Sequence, residues 1–229
     1  MTSFVAIIQA RMSSSRLPGK SLLPFGKSNL LQHQINVLSA CPKLDLIIVA
    51  TSDHQSDQAI ADYCEQMNIE CFRGPLDNVA QRFYLAIKHY KPDVFARFCA
   101  DRPFYDWRIL DQAYKNILST GADICTNVTP ATFPKGQTTE VIKANLYLET
   151  FHEMQETEDL EHVTRYFYQN KECFQIENIT SDTGDHADIN LCIDTKEDYD
   201  RAIKILGLMS EPYANYSYQD IIKFYRQVI

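Results

Sequence analysis

Short apolar runs alternate along the chain with stretches whose apolar residues recur at helical spacing. The runs are Phe4–Ile8, Leu46–Ala50, Ile69–Phe72, Val94–Cys99 and Asp123–Thr126, rich in β-branched and aromatic residues. Leu30, Leu31, Ile35 and Leu38 follow the first run at helical spacing, and Ile60, Tyr63, Cys64 and Met67 follow the second. Val79, Phe83, Ile87 and Tyr90 follow the third, and Ile109, Ala113 and Ile117 the fourth. Each set fits one face of a 3.6-residue turn. This alternation predicts an α/β fold with right-handed crossovers and a mainly parallel sheet covered by helices on both faces. Ligands of such sheets bind beyond the carboxyl ends of the strands. Residues Gln9–Lys20, Thr51–Asp53, Arg73–Asp77 and Ala100–Pro103 occupy those ends.

The rhythm breaks after Thr126. Asn127–Thr138 reads as a loop containing Pro and Thr, followed by a strand at Glu140–Ile142. Helical patterns cover Leu146–Met154 and Leu160–Tyr168, and a polar loop at Ser181–Asp188 precedes a short strand at Asn190–Ile193. Thr195 followed by Asp198 has the spacing of a capping box for a helix through Ile205, and a last helix spans Tyr218–Val228. With no repeat and no long linker, residues 1–229 read as one domain with a small arm around residues 130–180.

Composition narrows the class. At 229 residues and 45% hydrophobic the chain can bury a sizeable core, and 7 Gly and 9 Pro exclude collagen-like and low-complexity chains. No apolar run approaches the roughly 20 residues that span a bilayer, and Met1–Ile8 lacks the pattern of a signal peptide. Seven Cys in no metal-ligand spacing, most of them inside apolar runs, read as buried reduced thiols. A soluble cytoplasmic protein without a membrane partner is the expectation. The net charge of −8 argues against nucleic acid as a partner. Its distribution is uneven: no Asp or Glu precedes Asp45, whereas Arg11, Arg16, Lys20 and Lys27 crowd one stretch. A local cluster of cations on an acidic protein suits a small polyanion such as a triphosphate.

That cluster lies in Gln9-Ala-Arg-Met-Ser-Ser-Ser-Arg-Leu-Pro-Gly-Lys20, directly after the first strand. A phosphate-binding loop needs converging N–H groups, hydroxyls and fixed positive charge. Arg11, Arg16 and Lys20 supply the charge, and Ser13, Ser14 and Ser15 the hydroxyls. Gly19-Lys20-Ser21 matches the second half of the kinase-type phosphate loop, but Ser14 stands where its first Gly would be, and Pro18 lies inside it. No G-x-G-x-x-G is present, which removes the main support for dinucleotide binding.

This stretch resembles the sugar cytidylyltransferases related to spore coat polysaccharide biosynthesis protein F, and more distantly the CMP-KDO and CMP-acylneuraminate synthetases. The likeness continues through Val49–Asp53, Phe72–Gly74 with Asp77, and Arg97–Asp101 with Pro103. It extends to Phe133–Gly136 with Glu140, Glu161–Thr164, and Cys192–Thr195 with Glu197 and Asp198. The resemblance implies a Rossmann-like nucleotidyltransferase sheet and the transfer of CMP from CTP to a sugar, expected to be an acidic one, with release of pyrophosphate. The product would serve surface polysaccharide or glycan biosynthesis, and a homodimer is expected from the same likeness.

Carried over residue by residue, the resemblance gives the triphosphate to Arg11, Ser14, Arg16 and Lys20, with Arg11, Lys20 and Asp101 as the catalytic set. Asp101 and Asp194 would hold Mg²⁺, since a divalent ion among phosphates needs hard carboxylate ligands. The alternative for Asp194 is a carboxylate stabilising the helix that starts near Thr195. Arg73 would lie near the cytosine, or else pair with Asp77. Glu140, Glu161, His162 and Arg165 are the acceptor-side residues. Arg102 replaces the usual Cys before Pro103, and Lys135 with Gln137–Thr139 departs from the usual P-D-G-x-D, both where the acceptor should sit. Two other classes compete: a glycosyltransferase, which would want a D-x-D motif where Cys99-Ala100-Asp101 has one Asp, and a nucleotide- or sugar-binding module without turnover.

Overall fold

Apolar residues at alternate strand positions bury both faces of one sheet, and that sheet sets where every loop emerges. The computed structural model describes residues 2–229. In chain order the elements are β1 (Phe4–Gln9), β2 (Pro24–Phe25), β3 (Ser28–Asn29), α1 (Leu30–Leu38), β4 (Leu46–Ser52), α2 (Gln58–Gln66) and β5 (Glu70–Gly74). They continue with α3 (Val79–Tyr90), β6 (Val94–Cys99), α4 (Trp107–Thr120), β7 (Ile124–Thr126), β8 (Glu140–Lys143) and α5 (Ala144–Thr150). The last are α6 (Thr157–Glu161), α7 (Arg165–Gln169), β9 (Ile176–Asn178), α8 (Lys196–Leu206) and α9 (Tyr218–Val228).

The seven-stranded sheet has the order β5-β4-β1-β6-β8-β7-β9, with β2 and β3 forming a separate hairpin. β1 pairs in parallel with β4 and β6, while β8 runs antiparallel to both β6 and β7. The mainly parallel α/β sheet is therefore present, with one reversed strand. Strand alternation sorts the core into two layers. Phe4, Ala6, Ile8, Val49, Ala96 and Phe98 pack on one face with Leu31, Leu110 and Ile205. Val5, Ile7, Ile48, Phe95 and Ile142 pack on the other with Phe83, Tyr147 and Phe167.

Segment 130–180, expected as a small arm, enters the sheet twice, as β8 and β9, and lays α5 and α7 on the second face. Three local expectations need correction. Asn190–Ile193 makes a single bridge, Asn190 with Lys135, rather than a strand, because its backbone partners are the isolated residues Lys135 and Asp101 rather than a continuous strand. The helix expected over Leu160–Tyr168 is two short helices, broken where His162 leaves helical geometry (φ −109°, ψ 76°). Strand β9 was hidden in a weakly apolar stretch, since it is an edge strand of three half-buried residues. All seven cysteines are free and three are buried, but Cys173 is exposed in a turn after α7. Among the described residues no helix is long and apolar enough to cross a membrane.

The capping box is as spaced: Thr195 accepts from the Asp198 N–H, and the Asp198 carboxylate accepts from the Thr195 N–H. Thr195→Ala should cost about 1 kcal/mol of stability. For a chain of this size that lowers Tm by roughly 2–4 °C, measurable by calorimetry.

Candidate active site

The loop after β1 is held at both ends. Ala10 still donates its N–H to the Ala50 carbonyl (3.2 Å), so the chain leaves the sheet only at Arg11. The Met12 N–H then donates to Asp57 Oδ1 (2.8 Å), and Asp57, fully buried, accepts the Ser52 hydroxyl on its other oxygen. At the far end the Gly19 N–H donates to the Met12 carbonyl (2.9 Å), closing the loop on itself. Gly19 has φ +73°, a left-handed conformation that favours glycine, and it starts the short 3-10 turn Lys20–Leu22. The turn aims Lys20 inward, beneath the ends of β1 and β6.

There the Lys20 ammonium donates to Asp101 Oδ2 (2.7 Å), Asp194 Oδ1 (2.9 Å) and the Ile193 carbonyl (3.0 Å). Arg16 adds a second contact to Asp194, at 3.1 Å. Burial by itself would lower the Lys20 pKa, but the two carboxylates outweigh it and hold the pKa above the ordinary lysine value. Asp101 lies just past β6, and its carbonyl accepts the Ile193 N–H (2.9 Å), which draws the segment before α8 against the strand end. Thr195 and Asp198 do the capping of α8, so Asp194 is left to face the cations rather than the helix.

Around this cluster lies a cleft with two adjoining lobes. The first, about 190 Å³, is lined by Arg11, Ser14, Ser15, Arg16, Lys20, Asp101 and Asp194. The second, about 230 Å³, is lined by Val79, Arg82, Arg97, Glu161 and His162. Gln9, Ala10, Arg11 and Cys99 line both. Arg11, Ser14, Arg16, Lys20, Asp101 and Asp194, separated by up to 183 positions, thus share one lobe. Glu161 and His162 reach the other.

Three expected residues do not reach the cleft. Arg73 follows the alternation of β5, which puts it beside Thr51 on the opposite face from Phe72. Its guanidinium is used up by the Ser52 and His54 carbonyls and the Gln58 side chain, and it does not pair with Asp77. Arg165 is taken by Glu156 (3.0 Å), Glu158 (2.8 Å) and Asp159 (2.6 Å), the acids of α6 and its entry. Glu140 is 2% exposed: one oxygen accepts from Arg97 and the other from the Tyr168 hydroxyl, each at 2.9 Å. Burial would raise the Glu140 pKa, but Arg97 and the hydrogen bonds hold it below the usual carboxylate value.

The departures from the family pattern are structural. Arg102 lines neither lobe: it lies behind the cleft, donating to the Thr138 carbonyl (3.0 Å), with the Cys99 sulfur at 3.7 Å and Asp101 Oδ1 at 4.0 Å. The buried Gln137 side chain accepts the Asp106 N–H (2.8 Å) and donates to the Phe104 carbonyl, while the Thr139 N–H donates to Asn127 (2.9 Å).

Two buried charges that shape the cleft and its loop were not singled out from the sequence. Arg82 is 2% exposed and donates to the carbonyls of Pro75, Ala50 and Leu76. Its signal was a charge three residues after Val79, on the apolar stripe of α3. Burial pulls its pKa below the usual arginine value. Asp57 carried no local signal, because its partner Met12 is 45 residues away. Asp57→Ala should release the Met12 amide, a charge-assisted hydrogen bond of about 1.5–3 kcal/mol. Hydrogen exchange should then quicken about tenfold or more at the Met12 amide while β1 stays protected.

Comparison with known proteins places the chain. The family described as cytidylyltransferase matches residues 5–224. Spore coat polysaccharide biosynthesis protein SpsF of Bacillus subtilis is 35% identical over 213 residues, covering 90% of this chain and 87% of that protein. A 3-deoxy-manno-octulosonate cytidylyltransferase of Aeromonas salmonicida is 29% identical over 56% of this chain and 51% of its own. Among solved structures, a cytidylyltransferase from Leptospira borgpetersenii superposes with a TM-score of 0.93 at 27% identity, over 99% of this chain and 95% of that one. A CMP:2-keto-3-deoxy-manno-octonic acid synthetase complexed with CTP shares the fold, with a TM-score of 0.68 at 15% identity over 90% and 99% of the two chains. With the family match spanning residues 5–224 and the residues of the first motif gathered in one cleft with Asp101 and Asp194, this protein belongs to the cytidylyltransferase family.

Proposed function

We propose that this cytidylyltransferase uses Mg²⁺ and CTP to transfer CMP to an acidic sugar, releasing pyrophosphate, for surface polysaccharide or glycan assembly. The observation that carries the reading is the convergence of Lys20, Arg16, Asp101 and Asp194, with Arg11 and Ser14, on one lobe. In the reaction an acceptor oxygen attacks the α-phosphorus in line. The new P–O bond forms as the bond to the bridging oxygen breaks and pyrophosphate leaves. Such chemistry asks the protein for positioning and charge neutralisation more than for covalent participation. In this reading Arg11, Arg16 and the Ser14 hydroxyl, which line the first lobe, receive phosphate oxygens, and the second lobe takes the acceptor. With Arg97 neutralised by Glu140, Arg11 and Arg82 against Glu161 leave the second lobe a small positive balance that favours an acceptor with negative charge.

The carboxylates fit a divalent cation. Asp101 Oδ2 and Asp194 Oδ1 lie within 2.9 Å of a single ammonium nitrogen, so two hard oxygen donors already converge on one cation position. Among the described residues no third acid, His or Cys joins them, which matches the habit of Mg²⁺ to complete its shell with water and substrate phosphates. Bound there, Mg²⁺ would screen phosphate charge and orient the leaving group. Lys20, drawn onto phosphate oxygens, would leave both carboxylates to hold it.

Two outcomes test the reading. In a thermal-shift panel, CTP with Mg²⁺ should raise Tm more than ATP, GTP or UTP. A ligand at 100 times its Kd adds about 2.7 kcal/mol, and an equal response to all four would leave triphosphate binding but remove the cytidine assignment. Asp101→Asn and Asp194→Asn should each keep a cooperative melt yet slow pyrophosphate release by roughly 10²–10⁴-fold. Normal turnover of both variants at limiting Mg²⁺ would defeat the metal assignment.

A further inference from the structure

The second face of the sheet changes character at its carboxyl end. Val5 and Ile7 on β1, Phe95 on β6, Ile142 on β8 and Ile124 on β7 are core residues of that face. The next positions on the same face are Gln9, Arg97, Glu140 and Thr126, so a polar row caps an apolar one. The row is connected. Glu140 lies beyond the last β6–β8 pair, opposite Arg97, and binds it at 2.9 Å. Tyr168 on α7 donates to the other Glu140 oxygen and lies 3.0 Å from the Thr126 hydroxyl. With both carboxylate oxygens engaged, Arg97 cannot swing away without stranding a buried charge.

Arg97 in turn orients Gln9. Its Nε donates to Gln9 Oε1 at 3.2 Å, and its Nη2 lies 3.8 Å from the Cys99 sulfur. A guanidinium has only donors, so the amide atom that faces it must be the oxygen. The Gln9 NH₂ therefore points away from Arg97, and it has no hydrogen-bond partner among the described residues. Gln9 lines both lobes, whereas Arg97 lines only the second. An oriented N–H donor thus stands where the two lobes meet.

We infer that Gln9 is a specificity-determining residue whose Nε2 donates to an oxygen of the acceptor, and that Arg97 and Glu140 are positioning residues that keep the donor rather than the carbonyl turned to the cleft. The inference rests on cytidyl transfer being the reaction. Phosphate oxygens already have Arg11, Arg16, Lys20 and the serine hydroxyls in the first lobe, whereas the second lobe has no other neutral donor held in a fixed orientation. A glutamate at position 9 would pair with Arg97 equally well and present an oxygen where the amide presents a donor.

The test uses the full chain and the sugar that gives pyrophosphate release from a panel of 3-deoxy-manno-octulosonate, N-acetylneuraminate and neutral hexoses. Gln9→Glu and Gln9→Met should raise the KM for that sugar about tenfold or more, with the KM for CTP within about threefold and the melting temperature nearly unchanged. Glu140→Gln should raise the sugar KM in the same direction, and Gln9→Met should then add little, because both act through one donor. Wild-type turnover with an unchanged sugar KM in Gln9→Glu would overturn the inference and leave the transfer reading intact. A rise in the CTP KM alone would overturn it too, by moving Gln9 to the nucleotide. If Glu140→Gln lowers only the melting temperature, or if its effect adds in full to that of Gln9→Met, Glu140 is not a positioning residue. Absence of pyrophosphate release with every sugar would instead remove the transfer reading, and this inference with it.

Discussion

The site depends on one ammonium group shared by two carboxylates. Lys20 reaches Asp101 across 81 residues and Asp194 across 174, and joins the first loop, the end of β6 and the entry to α8. Two carboxylates this close would repel one another without a cation between them. Taking an ammonium this far out of water is costly unless its partners hold it. Each arm has its own support: the turn that Gly19 opens, the β6 strand end, and a helix whose capping is done by neighbours of Asp194. The result is a position specific for positive charge, set beside further cations that suit a polyanion.

The two faces of the sheet then divide the work. Apolar residues at alternate positions fix the strands, and the polar residues that follow on the same parity inherit that precision. Gln9, Arg97 and Glu140 meet because β1, β6 and β8 are neighbours and the three share a face. Arg73 fails to join them for the same reason, since it is one residue out of phase with Phe72 on β5. A shift of one position on a strand moves a side chain to the other side of the sheet.

Family likeness and local departure are compatible in this chain. Arg102, Gln137 and Thr139 differ from the usual pattern, yet the side chain of each satisfies a backbone group around the β6–α4 turn and the loop before β8. The buried Gln137 amide uses both ends of its side chain for this. These positions hold the wall behind the cleft rather than its surface.

Much of this was legible without coordinates. Five strand runs, four helical stripes and the Thr195–Asp198 cap follow from period and spacing, which are local properties of a chain. The cationic loop after β1 was legible because its cations, hydroxyls and glycine lie in one stretch, and Asp101 and Asp194 because they end apolar runs. Tertiary structure alone decided which charges remain free for a ligand. Arg165 looked available until three acids of α6 and its entry closed on it, and Glu140 until Arg97 and Tyr168 took both its oxygens. Arg82 and Asp57 became part of the site only because distant backbone groups needed a donor and an acceptor in buried places. The pattern along a chain records which side chains prefer water, but the partner of a charge is a matter of distance in space, and that distance is set by the packing of strands and helices far apart in sequence.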